Sequence, residues 1–486
     1  MQSIDVNTVS PERLAPLIGQ QRYADFSALA GHLGARLRGR TVWNVSSTAV
    51  GGGVAEMLKM LVGYAVGAGV QTRWVVIAGD PDFFAVTKRI HNRLHGAQGD
   101  PGELGPAERS TYRGVLEANL PQLLKAVQPG DVVILHDPQT AGLAAALVDH
   151  GARVIWRCHV GSGTTNEYTD QAWSFLRPLC EPAHGLVFSR AEYAPDWVDA
   201  DRLSVIAPAI DPFSTKNMDM KDEAVSAVLD RAGIVTPSGS VITPTFTRCD
   251  GTTGEVRRPA EVLRGGPPPP ADAPLVVQVS RWDHLKDMAG VLQAFTRHVM
   301  PRAGRDVHLA LVGPSVAGVA DDPEGQQVLA ECQALWAGLP QNERARISLV
   351  TLPTDDVDEN AAIVNAIQRH AAVVVQKSLA EGFGLTVAEA MWKSRPVVAS
   401  AVGGILDQIT DGEQGLLVQD PGNLEEAGDA LCRLLGDPQE SARLGTAARV
   451  RCGERFLPNR ELTDWAQVIG RVDGADRSTG QQGLPL

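Results

Sequence analysis

The stretch EGFGLTVAEAMWKSRPVVASAVGG, residues 381–404, follows the short apolar run AAVVVQ of residues 371–376. Such a run bounded by turn-forming residues is typical of a buried strand, and the apolar spacing after Gly384 predicts a helix that begins near Leu385 or Thr386. The second apolar run, RPVVAS, then predicts another strand. A strand, a helix and a strand in this order indicate one unit of a parallel α/β sheet.

The same alternation of strands and helices extends over most of the chain in two separate series. In the first half the predicted strands read TVWNV, TRWVVIAG, DVVILHD, ARVIWRCHV and GLVFS. In the second half they read LVVQVS, VHLALVG, RISLVTLP, AAVVVQ, RPVVAS and GLLVQD, each followed by a helical pattern. The sequence therefore predicts an α/β protein with two doubly wound, Rossmann-like domains that face each other across a cleft.

A glycine- and proline-rich segment separates the two series. The stretch RRPAEVLRGGPPPPADAP contains four consecutive prolines, which favour a stiff, extended linker over a helix or a central strand. We therefore predict an N-terminal domain at 1–264, a linker at 265–274 and a C-terminal domain at 275–455. The remaining residues, 456–486, are predicted to form a final helix and a tail that is expected to be disordered.

The composition is typical of a globular protein with an acidic surface. The chain has 486 residues, 44% hydrophobic residues and a net charge of −13 at pH 7, which disfavours nucleic acid and anionic membranes as partners. No apolar stretch predicts a membrane span and no signal segment is recognised, so a cytoplasmic location is expected. The six cysteines are scattered without a C-x-x-C pair, so the sequence predicts neither a zinc site nor a disulfide framework.

Two glutamates of the quoted stretch are placed where ligands collect in a parallel sheet. Loops after the carboxyl ends of strands form the binding sites of such folds, and Glu381 lies in one of them. Gly382 and Gly384 allow a tight turn before the helix, whose N–H groups and positive dipole end favour a phosphate. Glu389 lies about one turn inside the helix, so the two carboxylates can accept hydrogen bonds from different hydroxyls of a ribose or a hexose. The alternative is that Glu381 caps the helix and Glu389 is a solvated surface residue.

A cationic loop lies at the start of the second domain. The stretch VVQVSRWDHLKDMAG ends the first predicted strand of that domain and carries Arg281 and Lys286. A guanidinium offers a planar fork for phosphate oxygens and an ammonium offers a compact charge, so this pair can neutralise a departing diphosphate. The alternative is an ordinary pair of surface cations.

Loops of the first domain are candidates for the other half of a site. A run of three glycines follows the strand TVWNV, so Gly52 and Gly53 can let backbone amides approach a phosphate or a sugar oxygen, or can form a plain tight turn. Asp137 and Gln139 stand at the end of the strand DVVILHD, where they can hydrogen-bond a sugar, although Asp before Pro is also a routine turn. His159 ends the strand ARVIWRCH, and a lone histidine at a strand end is more often structural.

The motifs of the second half, taken in order, carry a family resemblance. SRWDHLKD, EGFGLTVAEAM and AVGG resemble the motifs of retaining glycosyltransferases with the GT-B fold, family GT4. The resemblance implies that Arg281 and Lys286 bind the diphosphate of a nucleotide sugar, that Glu381 holds a hydroxyl of the transferred sugar and that Glu389 holds the ribose. It also implies that the final helix, NRELTDWAQVIGRV, crosses back to the first domain. The rest of the implied donor site lies on the turn and the helix start: Gly382, Phe383, Gly384, Leu385 and Thr386.

The first half resembles one branch of that family. The stretches WNVSSTAVGGGVAEML, LHDPQTAG, VIWRCHV and APAIDPFSTKN are similar to those of trehalose synthases of the glycosyltransferring type and of trehalose phosphorylases, and the likeness covers most of residues 41–460. This resemblance implies that His159 faces the reacting sugar and that Asp137 and Gln139 bind the acceptor. The loop VGSGTTNEY after His159, and Thr140 in place of a usual proline, depart from the pattern on the acceptor side.

The resemblance implies a retaining hexosyltransferase that moves glucose from a nucleotide sugar to a small sugar acceptor, glucose itself, to give trehalose. Neither a metal nor another cofactor is expected. The alternatives are a trehalose phosphorylase, a transferase with another acceptor and a non-catalytic sugar-nucleotide sensor. The base of the nucleotide stays open, as does a homodimer. The implied catalytic residues are His159, Arg281, Lys286 and Glu381, and Gly52 and Gly53 are implied to assist in donor binding.

Overall fold

The computed structural model describes residues 1–49, 53–237, 242–303, 306–316 and 323–474. Gly52 lies outside the described residues, and so does the C-terminal tail at 475–486. The strands are β1 Gln2–Ile4, β2 Val42–Ser46, β3 Thr72–Val76, β4 Val132–His136, β5 Arg153–Cys158, β6 Gly185–Phe188, β7 Leu203–Val205, β8 Thr245–Thr247, β9 Thr253–Glu255, β10 Glu261–Arg264, β11 Leu275–Val279, β12 His308–Pro314, β13 Ile347–Leu352, β14 Val373–Gln376, β15 Val397–Ser400 and β16 Leu416–Val418.

The helices alternate with these strands along the chain. The α-helices are α1 Ala15–Ile18, α2 Gln20–Arg36, α3 Gly53–Gly67, α4 Pro81–Leu94, α5 Pro106–Ala126, α6 Ala144–Asp149, α7 Glu167–Cys180, α8 Asp222–Ala232, α9 Met288–Ala294, α10 Pro323–Ala337, α11 Gln341–Arg344, α12 Val357–His370, α13 Leu385–Trp392, α14 Ile405–Gln408, α15 Leu424–Gly436, α16 Pro438–Arg455 and α17 Pro458–Gly474. Short 3₁₀ helices lie at Pro11–Leu14, Ala141–Leu143, Ala191–Tyr193 and His284–Lys286, and a π-helical turn lies at Phe295–Val299. None of the helices in the described ranges combines the length and the apolar composition that a membrane span requires.

The chain forms two compact units, and each contains one large sheet. Unit 1 comprises Met1–Ala209 and the chain from Phe456 onward, and unit 2 comprises Ile210–Arg455. The predicted strands of both series are present, so the prediction of two Rossmann-like α/β domains is confirmed. The short edge strands β1, β7 and β10 were not predicted, because three or four residues carry too little periodicity to be recognised.

The division between the units falls earlier than the sequence suggested. The chain passes from unit 1 to unit 2 after Ala209, whereas the linker was placed at 265–274. Strand β10 pairs antiparallel with β13 of unit 2, and α8 packs against α12 of the same unit. The proline-rich segment therefore joins the edge strand β10 to the central strand β11 of one sheet, instead of separating two domains. Antiparallel edge pairing attaches β10 to this sheet, and the sequence pattern does not reveal that partner.

The sheet of unit 1 has the strand order β1-β3-β2-β4-β5-β6-β7, with β1 antiparallel to β3 and the other neighbours parallel. Every residue of β2 and β4 is buried, because helices cover both faces of a doubly wound sheet. Helix α17 packs on α2, where Asp473 forms ion pairs with Arg36 and Arg40 at 2.7 and 2.6 Å. Hydrogen bonds from these guanidinium groups lower the pKa of Asp473 to about 2.

The sheet of unit 2 has the strand order β10-β13-β12-β11-β14-β15-β16, and only β10 is antiparallel to its neighbour among these described strands. In both sheets the direction of winding reverses beside the first parallel strand. The chain runs from β2 to β3 on one side and returns to β4 on the other, and β11, β12 and β14 repeat this arrangement. Ligands of doubly wound folds bind at the carboxyl ends of strands beside such a reversal.

Candidate active site

In unit 2, the ammonium of Lys286 contacts the carboxylate of Glu381. Lys286 Nζ lies 2.6 Å from Oε1 and 2.7 Å from Oε2 of Glu381, and the hydroxyl of Ser378 donates to Oε2 at 3.0 Å. Lys286 ends the 3₁₀ helix after β11, and Glu381 lies in the loop after β14. The structure thus brings together two predicted site residues that are 95 positions apart, at the reversal point of the sheet.

Gln278 holds these two loops together. Its side chain is fully buried, donates to the carbonyl of Lys286 at 2.7 Å and accepts from the backbone N–H of Lys377 at 3.3 Å. The buried ammonium of Lys377 forms an ion pair with Asp287, which also caps α9. Sequence analysis missed these side chains. A polar residue inside an otherwise apolar strand, as in LVVQVS, is the signal that could have revealed Gln278.

Arg281 lies on the same loop as Lys286 and reaches the surface. Its side chain is 42% exposed and donates to Asp283 at 3.2 Å. Asp283 in turn accepts from the backbone N–H of Leu285 at 2.8 Å, so the carboxylate that holds Arg281 also caps the 3₁₀ helix that ends in Lys286. The two predicted diphosphate cations therefore share one loop whose shape is set by its own hydrogen bonds.

The turn EGFG leads directly into α13, which begins at Leu385 as predicted. Gly384 occupies the N-cap with a φ of 87°, a left-handed conformation that favours glycine. A Cβ on Gly404 of the AVGG motif would lie 2.6 Å from the Cα of Phe383, so the two motifs pack backbone to backbone. The N-cap position of α13 therefore belongs to Gly384, three residues after Glu381.

Glu389 is buried within unit 2 instead of being a solvated surface residue. Its side chain is 6% exposed, and its Oε1 lies 3.4 Å from the ammonium of Lys216. Lys393, one turn later, donates to the backbone carbonyl of Glu389 at 3.3 Å. Burial lowers the pKa of Lys393 to about 7, although the negative charge of Glu389 acts to raise it. The surface alternative for Glu389 is wrong, and its partner Lys216 was not predicted.

In unit 1, His159 belongs to a chain of three buried polar side chains. Its Nε2 lies 3.2 Å from Nδ1 of His136, whose Nε2 lies 3.0 Å from Oδ1 of Asn44. The two imidazole rings are nearly parallel, with centroids 5.5 Å apart. Asn44, His136 and His159 lie on or directly after β2, β4 and β5, so the parallel strand order brings them to one edge. Sequence analysis found His159 alone, although His136 stands in the quoted LHDPQTAG.

Asp137 shapes the loop that carries the acceptor-side candidates. It has a left-handed φ of 64°, and its carboxylate accepts from the backbone N–H of His159 at 2.7 Å. Burial raises the pKa of Asp137 to about 6, and the hydrogen bond from His159 partly offsets this effect. Thr140, the departure from the family pattern, is fully buried and donates to the carbonyl of His136 at 2.8 Å. Thr140 therefore stabilises the same turn that places the Asp137 carboxylate against the backbone of His159.

Two further donor- and acceptor-side predictions have less defined surroundings. Gln139 follows Asp137, and its buried Oε1 has no hydrogen-bond partner among the described residues. Gly53 is the first residue of α3, and its neighbour Gly52 lies outside the described part of the chain. Strands β2 and β4 are nevertheless adjacent and parallel, so their carboxyl ends lie at the same edge of the sheet.

The histidine pair is held in its neutral form. Burial lowers the pKa of His136 to about 3 and that of His159 well below its usual value, and the charge of Arg157 adds to both shifts. Arg157 is fully buried, and its guanidinium donates to the carbonyl of Ile206 at 2.7 Å and to the hydroxyl of Ser189 at 3.2 Å. At neutral pH each imidazole can therefore donate through one nitrogen and accept through the other.

Acid should destabilise unit 1 through this pair. An unfolded histidine binds a proton below about pH 6.5, whereas the folded His136 stays neutral. The contribution of His136 to the free energy of unfolding is therefore complete above that pH and falls by about 1.4 kcal/mol per pH unit below it. Asp137 and Glu461, whose pKa values are raised to about 6 and 7, act in the opposite sense. We therefore expect the difference in unfolding free energy between wild type and His136→Gln to shrink from pH 7 to pH 5 in urea titrations. A constant difference would contradict the prediction, and the exposed His32→Gln is the matched control.

Two family models match the chain. Residues 44–195 match the model described as "Trehalose synthase, N-terminal domain", and residues 261–451 match the model described as "Glycosyl transferases group 1". The first match contains β3 through β6 of unit 1 and the last three residues of β2, and the second contains the whole sheet of unit 2.

Curated relatives extend the likeness over almost the full length. A trehalose synthase of Rubrobacter xylanophilus is 35% identical over 460 residues, which cover 94% of this chain and 96% of the relative. A trehalose phosphorylase of Pleurotus pulmonarius is 25% identical over 84% of this chain and 54% of its own length.

Solved structures share the fold. A trehalose-6-phosphate synthase, OtsA, superposes with a TM-score of 0.64 at 14% identity and covers 89% of this chain and 98% of its own. Anabaena HepE in complex with UDP-glucose superposes with a TM-score of 0.57 at 14% identity, and the match covers 90% of this chain and 99% of that one. The predicted GT-B fold is confirmed by these neighbours together with the two sheets.

Proposed function

Because this chain is a glycosyltransferase of the trehalose synthase family, with the GT-B fold and activity on trehalose-related sugars, we propose that it transfers glucose from a nucleotide sugar to glucose, giving α,α-trehalose with retention of configuration. The full-length likeness to trehalose synthases carries this proposal. The site of unit 2 supports it, since the predicted cations and the first glutamate lie on the loops where this fold binds ligands.

The donor site is assigned to unit 2. Arg281 and Lys286 bind the diphosphate, with the N-terminal turn of α13 as a further source of N–H donors. Glu381 accepts from a hydroxyl of the transferred glucose while Lys286 and Ser378 fix its carboxylate. Glu389 accepts from the hydroxyls of the ribose. The nucleotide-sugar donor is also consistent with the fold neighbour that was solved with UDP-glucose.

The acceptor site is assigned to unit 1. His159 contacts the reacting sugar, and the chain through His136 to Asn44 sets which of its nitrogens donates. Asp137 and Gln139 bind acceptor hydroxyls. One carboxylate oxygen of Asp137 already accepts from His159, so Asp137 also fixes the backbone that carries the histidine.

The proposed reaction separates charge that the site must stabilise. The bond between the anomeric carbon and the diphosphate oxygen breaks, and Arg281 and Lys286 stabilise the developing negative charge. The acceptor hydroxyl attacks from the same face, and its proton passes to the departing phosphate oxygen, so the products are the disaccharide and the nucleoside diphosphate. The positive charges come from side chains, and this route assigns no step to a metal.

A trehalose phosphorylase is the second candidate. It is favoured by the relative of that name, which matches 84% of this chain. In that reaction orthophosphate would replace the nucleoside diphosphate as the anionic partner of Arg281 and Lys286. The likeness to a trehalose synthase is higher in identity and covers nearly all of both chains, so the transferase is preferred.

One product assay tests the proposal. The protein is incubated with ADP-, UDP- or GDP-glucose plus glucose, and separately with trehalose plus orthophosphate, each with and without EDTA, and the products are identified by NMR. We expect α,α-trehalose from at least one nucleotide sugar, with the same yield in EDTA. If glucose 1-phosphate forms from trehalose and phosphate, and no trehalose forms from any nucleotide sugar, the protein is a phosphorylase and not a transferase. Absence of any product, with nucleotide binding intact, would favour a sensor.

A further inference from the structure

The stretch STKNMD, residues 214–219, is fastened to helix α12 of unit 2. Asn365 Nδ2 donates to the carbonyl of Thr215 at 3.0 Å and to that of Met218 at 2.9 Å. Arg369 donates to the carbonyl of Met218 at 2.9 Å and is itself held by Asn365 Oδ1 at 2.9 Å. Two backbone carbonyls of an irregular stretch are thus bound by side chains of one helix, which holds the stretch in one conformation.

This fixed stretch brings two side chains to the helix that carries Glu389. The ammonium of Lys216 lies 3.4 Å from Glu389 Oε1, and Asn217 Oδ1 accepts from the ammonium of Lys393 at 3.0 Å. Lys393 also donates to the backbone carbonyl of Glu389 at 3.3 Å and to Gln368 Oε1 at 2.8 Å. One lysine therefore holds the carboxylate of Glu389 and the other holds its main chain.

The two lysines differ in burial, and this difference separates their roles. Lys393 is 3% exposed and packs beneath the end of α13, where it supports the helix. The side chain of Lys216 is 20% exposed, whereas that of Glu389 is only 6% exposed. A carboxylate that is so far removed from water needs a cation to keep its charge, and Lys216 supplies one from the open side.

A carboxylate oxygen can accept more than one hydrogen bond, so a cation at one oxygen orients the group without excluding a ligand. A pair of vicinal hydroxyls can bind such a carboxylate only if the glutamate side chain is held in one rotamer. The contact with Lys216 restricts the rotamer before the ligand arrives, which lowers the entropic cost of binding.

We propose that Lys216 is a positioning residue of the donor site, which fixes the Glu389 carboxylate for the 2′- and 3′-hydroxyls of a nucleoside diphosphate. This inference rests on the proposed function, since that function assigns the ribose to Glu389. Lys216 acts through Glu389 and takes no part in the transfer of the sugar.

The test compares nucleotides with and without the ribose hydroxyls. Binding of ADP, GDP and UDP, and of their 2′,3′-dideoxy analogues, is measured by calorimetry for wild type, Lys216→Met and Lys216→Arg. In Lys216→Met we expect affinity for the preferred ribonucleotide to fall about tenfold, the size of one lost hydrogen bond, and affinity for its dideoxy analogue to stay unchanged. Lys216→Arg should restore most of the loss, and the donor KM should rise while kcat stays near wild type.

Lys221→Met is the matched control, because Lys221 is exposed, follows the same stretch and caps α8 without a side-chain hydrogen bond. Equal weakening of the ribonucleotide and the dideoxy analogue in Lys216→Met would overturn the inference, and so would unchanged affinity for both. Glu389→Gln tests the underlying assignment separately. If Glu389→Gln loses the preference for the ribonucleotide over its dideoxy analogue and Lys216→Met keeps that preference, then Glu389 binds the ribose but Lys216 does not position it. If Glu389→Gln keeps that preference, the ribose assignment of Glu389 and the positioning role of Lys216 are both wrong.

Discussion

Replacing Lys286 with alanine should lower the rate of sugar transfer by at least about a hundredfold, the usual effect of removing a preorganised charge stabiliser. The ammonium of Lys286 contacts both oxygens of Glu381, so the substitution removes a diphosphate cation and also releases the carboxylate that is assigned to the sugar. The side chain of Glu381 is only 9% exposed, so its negative charge, no longer offset by Lys286, would then repel the diphosphate at short range. Arg281→Ala should lower transfer by a similar factor, through the diphosphate alone.

Steady-state kinetics and calorimetry with the nucleoside diphosphate measure this prediction. Affinity for the diphosphate should fall in parallel with the rate in both variants. Lys221→Ala, an exposed lysine of the same unit, is the control for an unspecific loss of positive charge. Near-normal turnover together with near-normal diphosphate affinity in both variants would remove the phosphate site from this loop.

Replacing His159 with alanine should reduce kcat by at least about a hundredfold while the donor still binds, because misplacement of a reacting group appears mainly in the transition state. The imidazole lies at the end of the chain from Asn44 through His136, and its loss leaves His136 Nδ1 without its partner at 3.2 Å. The diphosphate and ribose contacts belong to unit 2 and are unaffected by this change.

The readout for His159→Ala is the separation of binding from turnover. Nucleotide-sugar affinity is measured by calorimetry, and kcat and both KM values are measured by product formation, with His32→Ala as the exposed-histidine control. If the variant loses nucleotide binding, or if its kcat is that of wild type, then His159 is a structural residue and the acceptor site of unit 1 lies elsewhere.

Local sequence patterns determined most of the fold and the positions of the reactive loops. Apolar runs predicted the parallel strands, the spacing after Gly384 predicted a helix that begins near Leu385 or Thr386, and the end of a strand located Glu381. These features follow from hydrogen bonding and side-chain periodicity within a few residues, so no distant partner is needed to recognise them.

The contacts of the site were decided by the tertiary structure alone. Lys216 was placed by sequence in the first domain, but the chain enters unit 2 at Ile210, and a segment of that unit brings it to Glu389. His136 meets His159 only because β4 and β5 are neighbours in the sheet. Side chains separated by many residues along the chain become partners through strand order and edge pairing, and local periodicity carries no information about either.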